Sequence, residues 1–396
     1  MDRPFTVCEY IWLDHNNNFR SKTRVIHTPT KELTGLPIWN YDGSSTKQAD
    51  SNSSEVFIKP VKVCPNPFRK VVGGLLVLCD TWVVDKKESK EKEQLVYKPH
   101  PDNTRHKAAD IFSDPTVFGQ DCWYGMEQEF FYAAVPEQPT KSNPSLLEIP
   151  LGMSYSSLAL DKKWVSISGK EQGDFYCGSG SNNVFGRQLS EKLLENCLYA
   201  ELTTTGYNFE AAPGQCEFQI FGKGIDAADQ LLLFRYIAKL TVEQDNININ
   251  FHPKPMDGDW NGSGCHTNFS TKNMRNIENP ENSYASILQA ITILKESHDK
   301  HIAHYGDDNK LRLTGKHETA HWKTFTHGVA DRTVSVRVPS QTYFDKHGYI
   351  EDRRPSSNCD PYIVTSLIAQ TVVLMGAEPE KPIPYVDREN VEVVEE

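Results

Sequence analysis

No run of apolar residues in this chain of 396 residues approaches the ~18 residues that a membrane-spanning helix needs. The N-terminus, Met-Asp-Arg-Pro-Phe-Thr, lacks the apolar core of a secretory signal peptide. The nine cysteines include no Cys-x-x-Cys pair, and their odd number does not suit a small disulfide scaffold. These absences argue against a thiolate-rich zinc site and predict a cytoplasmic protein with no membrane partner.

Positive charge is also scarce, because 42 lysines and arginines face 53 aspartates and glutamates, for a net charge of −11. A nucleic-acid partner would favour a basic surface, so the balance argues against one. It leaves ATP open, since a local cluster of arginines and metal ions can bind a polyanion on an acidic protein. Apolar residues at 38% and charged residues at 24% match soluble globular averages.

Two glutamates one residue apart, Glu127 and Glu129, lie in the apolar and aromatic run 122–132. Alternate side chains of a strand share a face, so both carboxylates point the same way. Neighbouring carboxylates in an apolar setting repel and resist ionisation. A divalent cation is the simplest compensating charge, although water or a lysine on a polar strand face would also serve.

Four further residues strengthen the metal hypothesis. Glu210 and Glu217 flank a predicted turn, His266 ends a run of small residues, and Glu351 opens the segment Glu351-Asp-Arg-Arg-Pro355. Five carboxylates and one imidazole are enough for two sites of three ligands each. Magnesium prefers oxygen ligands together with water and substrate phosphates, and manganese accepts a histidine equally well.

Arginines add the means to bind an anion. Arg353 shares a strand face with Glu351, so one can bind metal while the other binds an anion. Arg332 and Arg337 are five residues apart and converge only if Arg332 lies on the loop that enters the strand. Guanidinium groups, Arg312 included, hold carboxylate and phosphate oxygens with paired hydrogen bonds. The combination is typical of phosphoryl transfer, which depends on positioning and charge neutralisation.

The chain length predicts two or three domains at roughly 150 residues each. Strand patterns dominate the first hundred residues, and we expect a domain boundary near residue 100. The charged run within 85–98 is most simply a solvated loop, and Asp42-Gly43 is a default hairpin turn. Strands then alternate with helices, one of which ends near Gly306. A last helix is predicted from 362 to 375.

Seven segments in this order resemble glutamine synthetase of the eukaryotic, short-chain type. They are residues 9–14, 41–46, 125–129, 215–220, 261–271, 313–319 and 348–355. The resemblance implies an α+β fold with a small N-terminal β-grasp domain over 1–100. A larger catalytic α/β domain over 101–396 would follow, with an antiparallel sheet lining the active site. It also implies a homo-oligomeric ring, a decamer of two stacked pentamers, in which neighbouring subunits share active sites.

The same resemblance implies roles for individual residues. At least two Mg²⁺ or Mn²⁺ ions per site would be bound by Glu129, Glu210 and Glu217 and by Glu127, His266 and Glu351. L-Glutamate and its phosphoryl group would contact Asn261, Gly262, Arg312, Arg332 and Arg353. ATP would contact Glu127, Glu217, Asn268, Ser270, Arg332, Arg337 and Tyr349. The catalytic groups would be Asp42, Glu318, Arg332 and Arg353.

The implied reaction joins ammonium to glutamate at the expense of ATP. Phosphorylating the side-chain carboxylate supplies phosphate as a leaving group, and the reactive intermediate must be protected from water. Glu318 would lie on a mobile flap, and Asp42 of the adjacent subunit would act as the base for ammonium. A bulk-like aspartate is a poor base, so nearby carboxylates must assist it.

Three positions depart from the family pattern without removing a proposed ligand. Cys216 replaces a tryptophan that is common in the family, Asp331 replaces an asparagine, and Ser340 replaces an arginine. One alternative is a relative that attaches a larger amine, although Asp42 with Glu318 favours a small cation. Others are a non-catalytic homologue, which would lack ligands that are all present here, and an unrelated metal-binding module, which leaves the seven segments unexplained.

Overall fold

The computed structural model describes residues 5–27, 30–134, 171–180 and 183–375. Fourteen strands are defined in this part of the chain. They are β1 Thr6–Leu13, β2 Phe19–Ile26, β3 Trp39–Asp42, β4 Glu55–Pro65, β5 Leu75–Val84, β6 Tyr97–Pro99, β7 Trp123–Ala134, β8 Thr204–Phe209, β9 Gln215–Lys223, β10 Ile247–Asn250, β11 Cys265–Ser270, β12 His327–Val329, β13 Val336–Val338 and β14 Ile350–Asp352.

The same described residues form nine α-helices. They are α1 Lys86–Lys92, α2 Thr104–Ser113, α3 Pro115–Gly119, α4 Arg187–Tyr199, α5 Ile225–Glu243, α6 Pro280–Glu296, α7 His298–His304, α8 Ser340–Asp345 and α9 Pro361–Ala369. A π-helical turn, Gln370–Leu374, continues α9. None of the described helices is long and apolar enough to cross a membrane. The mixture of sheets and helices confirms the predicted α+β class.

A six-stranded sheet comes first, in the order β2-β1-β5-β4-β3 with β6 beside β5. Its strand β1 is buried on both faces, and this explains its nearly continuous apolar sequence. Cys8, Tyr10 and Trp12 pack in a core of this sheet, whereas Ile11 on the other face joins the main core. The strand therefore attaches the first sheet to the rest of the protein. The division at residue 100 stays a prediction.

The larger sheet has eight strands, in the order β12-β13-β14-β11-β7-β9-β8 with β10 paired to β7. All its pairs are antiparallel except β12 with β13. Central strand β7 alternates as the sequence predicts. Met126 and Phe130 are buried in the main core, and Glu127 and Glu129 share the opposite face.

Strand β14 alternates in the same way, and its second face carries a buried ionic network. Asp352 and Arg354, each 1% exposed, are joined by two hydrogen bonds of 2.8 Å, from Nε to Oδ1 and from Nη2 to Oδ2. The Tyr305 hydroxyl donates to Asp352 Oδ2 at 2.8 Å, and His298 Nδ1 lies 3.2 Å from Arg354 Nη1. Glu351 and Arg353, which flank Asp352 in the sequence, face the other side.

Several local predictions were wrong. The charged run predicted as a loop forms the exposed helix α1, because Asp85 caps its N-terminus and Glu88 pairs with Lys92 one turn later. Asp42 and Gly43 do not form the predicted hairpin turn. The Asp42 carboxylate instead caps a 3-10 helical turn, Gly43–Thr46. The helix predicted to end near Gly306 is interrupted at Ser297, between α6 and α7.

All nine cysteines are free thiols, which agrees with the prediction of no disulfide scaffold. Eight of them are buried, and Cys177 alone is exposed. Cys216, one of the departures from the family pattern, is fully buried on β9 within the main core, where its thiol lies 3.5 Å from Ser190 Oγ. Sulfur thus occupies part of the space behind Glu217.

Candidate active site

A polar cavity lies over the open face of the larger sheet. Strands β7, β9 and β14 contribute to its walls, as do the loops between strands. The lining residues are Glu127, Glu129, Tyr176, Asn208, Glu210, Glu217, Asn261, Gly262, His266, Arg312, His317, Glu318, Thr319, Arg332, Arg337, Glu351 and Arg353. Carboxylates and guanidinium groups dominate this set, and few apolar atoms face the cavity.

Strand register brings the proposed metal ligands together. Glu127 lies directly opposite His266 on β11, and Glu129 lies opposite Glu217 on β9. His266 Nδ1 is 3.4 Å from Glu127 Oε2, 3.9 Å from Glu129 Oε1 and 3.7 Å from Glu351 Oε1. The imidazole is therefore central to the group.

The ligand atoms form two overlapping triads within 4.8 Å. One triad is Glu127, His266 and Glu351, and the other is Glu129, Glu217 and His266. The first triad matches a set implied by the resemblance. In the second, His266 stands where Glu210 was expected; Glu210 lines the same cavity, with its Oε1 accepting from Asn208 Nδ2 at 2.8 Å.

Amide groups fix the directions of the carboxylates. Glu129 Oε2 accepts from Gln215 Nε2 at 2.9 Å and from the Gly264 backbone N–H at 2.8 Å. Asn268 Nδ2 donates to Glu127 Oε1 at 2.8 Å, and Gln219 Nε2 donates to Glu217 Oε1 at 2.5 Å. Such groups hold metal ligands in position and are typical of metal centres.

Burial opposes the charge on these carboxylates. It raises the pKa of Glu129 to about 8, with the charge of Glu210 as the second cause. It likewise raises the pKa of Glu210 to about 7 and that of Glu217 well above its usual range. Burial also lowers the pKa of His266, which favours the neutral imidazole that binds metals. In this setting the carboxyl groups favour their protonated forms unless a cation is bound.

Arginines surround Glu351 on the same face. Arg337 Nη1 donates to Glu351 Oε2 at 2.8 Å, and Arg353 Nη1 donates to Oε1 at 2.6 Å. Among the described residues, the buried Nε groups of Arg337 and Arg353 have no hydrogen-bond partner. Arg332 lies in the turn that precedes β13, the loop position required for it to converge with Arg337. Unpaired buried donors beside a cavity suit an anionic ligand.

The chain that forms this cavity is similar in sequence to known enzymes. The sequence model described as "Glutamine synthetase, catalytic domain" matches residues 102–391. A putative glutamine synthetase of Acanthamoeba polyphaga mimivirus is 44% identical over 371 residues, 93% of this chain and 94% of the relative. The chain belongs to the glutamine synthetase family.

Plant members of the glutamine synthetase family show the same extent of similarity. The cytosolic isozyme 2 of Glycine max is 41% identical over 370 residues, 93% of this chain and 94% of the relative. A chloroplastic glutamine synthetase of Daucus carota is 42% identical over 378 residues, 94% of this chain and 79% of the relative. These matches confirm the predicted family and, with it, an enzyme of the ligase class that makes glutamine.

Most of the residues that the resemblance assigned line this one cavity, but four do not. Asn268 lies beside the cavity, where its side chain donates a hydrogen bond to Glu127. Ser270 Oγ donates to the Gly348 carbonyl at 2.5 Å, and the next residue, Tyr349, is 42% exposed. Asp42 lies on the first sheet, exposed, where Ser44 and Ser45 donate to its carboxylate at 2.7 and 2.8 Å. The assignments remain predictions.

Four lining residues were not anticipated from the sequence: Tyr176, Asn208, His317 and Thr319. Asn208 lies two residues before Glu210, and strand alternation could have placed it on the same side. His317 and Thr319 flank Glu318 and share its loop. Nothing in the pattern around Tyr176 distinguishes it, because only tertiary packing brings its ring to within 6.0 Å of the Arg332 guanidinium.

The donor set fits a hard divalent cation of the kind that the resemblance implies. Five carboxylates and one neutral imidazole supply oxygen and nitrogen atoms, and no cysteine lines the cavity among the described residues. The raised pKa of Glu129 gives a physical reason, because a bound cation would supply the charge that burial leaves unbalanced.

We expect metal-free protein to become less stable as the pH rises from about 5 to about 8. The folded-state pKa values of Glu129 and Glu210, about 8 and about 7, exceed the ordinary value of 4.5. The folded state therefore binds more protons than the unfolded state in this window, and that stabilisation is lost as the pH rises through the folded-state values. Magnesium must displace these protons, so its stabilising effect should grow with pH.

The measurement is the melting temperature with a chelator and with saturating magnesium at several pH values. Glu210→Gln should flatten the dependence on pH, whereas the exposed Glu91→Gln should leave it unchanged. An increase in melting temperature with magnesium that is equal at pH 5 and pH 8 would contradict the prediction.

Proposed function

We propose that this protein makes L-glutamine from L-glutamate and ammonia, with cleavage of ATP to ADP and phosphate. The observation that carries the proposal is one cavity in which buried carboxylates and His266 adjoin arginines with unpaired Nε groups. Family membership supports the reaction, since it assigns the chain to enzymes of that name.

The proposed reaction consists of two displacements. In the first, a γ-carboxylate oxygen of glutamate attacks the terminal phosphorus of ATP, and the bond from that phosphorus to ADP breaks. In the second, ammonia attacks the carbonyl carbon of the acyl phosphate, the bond from that carbon to the phosphate oxygen breaks, and phosphate leaves with a proton from the nitrogen. Ammonia cannot displace an oxide ion from a free carboxylate, so the first step is required. Both steps depend on positioning and on the neutralisation of phosphate charge.

Mg²⁺ or Mn²⁺, at least two ions per site, would be held by the carboxylates and His266. When bound, these ions would neutralise phosphate oxygens of the nucleotide and of the transferring group. Arg337 and Arg353 are proposed to bind the same oxygens, because their unpaired Nε groups are buried beside Glu351. We propose Arg332, which lines the cavity and is half exposed, as a third contact.

The substrate glutamate is proposed to lie against Asn261, Gly262 and Arg312. Gln172 holds Asn261 on both sides, accepting from its backbone N–H at 3.0 Å and donating to its Oδ1 at 2.7 Å. Any larger residue at 262 would place Cβ only 2.3 Å from Arg312 Cγ, so glycine is required for this close approach. Asn268, Ser270 and Tyr349 are proposed nucleotide contacts beyond Glu127.

Asp42 is proposed to bind ammonium in the cavity of an adjacent subunit. Hydrogen bonds from Ser44 and Ser45 lower the pKa of Asp42 to about 2, so the carboxylate stays charged and suits a cation. The same low pKa makes it a weak base, so other carboxylates, Glu318 among them, must assist proton removal. A homo-oligomeric ring, a decamer of two stacked pentamers, accounts for its place outside the cavity of its own chain.

The proposed location is the cytoplasm. The nine free thiols suit a reducing compartment. Purified protein should therefore contain no disulfide when it is isolated with its thiols trapped.

The decisive test follows phosphate release and product mass with glutamate, ATP and magnesium. Ammonium should give one glutamine per phosphate, and methylamine or larger amines should give little product. Phosphate release that depends on a larger amine and not on ammonium would favour the alternative, ligation of a larger amine to the γ-carboxyl group. No phosphate release with any amine would favour a non-catalytic homologue.

Glu318→Ala should lower glutamine synthesis by about 10²-fold or more without unfolding the protein. The Glu318 carboxylate is 59% exposed and contacts Arg332 Nη1 at 3.3 Å, so its removal leaves the core intact. Lys316→Ala, on the same loop but outside the lining residues, is the matched control. Parental activity in Glu318→Ala, measured by glutamine formation, would remove Glu318 from the mechanism.

Mixed rings test whether subunits share the site. Asp42→Asn and Arg353→Ala proteins are each expected to be inactive, because each lacks one group of every site. After subunit mixing, some sites combine an intact Asp42 with an intact Arg353, and activity should return to about a quarter of the parental value for random pairing of neighbours in a ring. Absence of recovery, with mixing shown by mass spectrometry, would place both residues in one chain's site.

A further inference from the structure

A histidine without a role in the proposed reaction joins two segments at the cavity. We define the flap as residues Thr314–Thr319 and the cavity loop as residues 257–261. His317 Nε2 on the flap lies 2.9 Å from Asp259 Oδ1 on the cavity loop. His317 itself lines the cavity, and so does Asn261 at the end of the cavity loop.

The flap is held on its other side by arginines. Arg332 Nη1 donates to Glu318 Oε2 at 3.3 Å, and Arg353 Nη2 donates to the Glu318 carbonyl at 3.2 Å. Thr319 Oγ1 attaches the end of the flap by donating to the Arg312 carbonyl at 3.3 Å. With His317 bound to Asp259, the flap is attached at both sides of the cavity.

The backbone of the flap tip needs such attachment. His317 and Glu318 are consecutive residues with positive φ, at 51° and 59°. This left-handed conformation is unfavourable for residues that carry a Cβ, and two in succession persist only where surrounding contacts hold them. The side chains of both residues make such contacts, His317 with Asp259 and Glu318 with Arg332.

We propose that His317 is a positioning residue: through Asp259 it holds the flap over the cavity and so protects the acyl phosphate from water. The inference rests on the proposed function and deepens it. If water replaces ammonia, its oxygen attacks the carbonyl carbon of the acyl phosphate, the bond from that carbon to the phosphate oxygen breaks, and glutamate and phosphate are released. ATP is then consumed, and no glutamine forms.

The size of the effect follows from exposure. The Asp259 side chain is 88% exposed and that of His317 is 21% exposed, so water competes for this pair. Exposed polar pairs contribute modestly, and the loss of this one should open the flap about two- to five-fold more often. The phosphate released in excess of glutamine should rise by a similar factor at low ammonium, and with it the ratio of phosphate to glutamine.

The test compares His317→Ala, Asp259→Asn and the double variant in the assembled enzyme. In each single variant the excess of phosphate over glutamine should be two- to five-fold that of the parent, and the double variant should resemble the singles because both remove one interaction. His317→Asn should restore part of the coupling, since asparagine tolerates positive φ and retains a donor. Asp257→Asn, an exposed acid on the same cavity loop, is the matched control and should keep the parental ratio.

The phosphate-to-glutamine ratio separates this role from a general structural one. A loss of folded enzyme lowers both products equally and leaves the ratio unchanged, and that result would overturn the proposal. Additive effects in the double variant would also overturn it, because the two residues would then act separately. If the parental protein forms no glutamine from ammonium, the proposed function itself fails, which is a different outcome from a coupled parent with coupled variants.

Discussion

Replacing Arg353 with lysine is expected to lower the rate of glutamine synthesis by about 10²–10³-fold while the protein remains folded. The three nitrogen atoms of the guanidinium group have different surroundings. Its Nη1 donates to Glu351 Oε1 at 2.6 Å, its Nη2 donates to the Glu318 carbonyl at 3.2 Å, and its buried Nε is unpaired. A lysine ammonium keeps the charge but cannot reproduce the planar fork. We expect most of the loss in kcat, because the unpaired donor is assigned to the transferring phosphoryl group.

Steady-state kinetics with ATP and glutamate varied separately provide the measurement for Arg353→Lys. Arg20→Lys is the matched control, because Arg20 pairs with Asp14 on the first sheet and lies outside the cavity lining. A change confined to the KM for glutamate would instead assign Arg353 to ground-state binding. Equal kinetics for the parent and Arg353→Lys would refute the assignment.

Arg354→Met is expected to destabilise the protein by about 3–5 kcal/mol, the typical effect of removing one partner of a buried ion pair. Arg354 and Asp352 are each 1% exposed, and they share two hydrogen bonds. Without the arginine, the Asp352 carboxylate keeps the Tyr305 hydroxyl as a donor but loses its countercharge. The midpoint of urea unfolding should therefore fall well below that of the parent.

A double variant provides the internal control. Asp352→Asn combined with Arg354→Met removes both charges, and it should be more stable than Arg354→Met alone. If Arg354→Met unfolds at the parental urea concentration, the buried pair contributes nothing to stability. Glu351 and Arg353 flank Asp352 in the sequence and line the cavity, so activity should be measured at temperatures where each variant is folded.

Alternation along single strands was readable from the sequence because a strand has a fixed period of two. It placed Glu127 with Glu129, and Glu351 with Arg353, and the structure shows each pair facing the cavity. The sequence did not show which residues of neighbouring strands lie opposite each other, because that depends on the register of the sheet. The pairing of Glu127 with His266 is a property of the sheet and not of either segment.

Other features depended on packing that no local pattern encodes. The charged run became helix α1 because a capping aspartate and one ion pair outweighed its polar composition. Tyr176 reaches the cavity only through the folding of a loop distant in sequence from Arg332. The position of Asp42 relative to a neighbouring cavity is a property of an assembly, and a single chain cannot specify it.

The single exposed thiol, Cys177, gives this protein a natural attachment point for a spectroscopic reporter. It directly follows Tyr176, whose side chain lines the cavity, while the other eight thiols are shielded in the interior. A maleimide dye should therefore label the folded wild-type chain at one position, without prior removal of cysteines. Fluorescence from that position would report opening and closing at the cavity in real time.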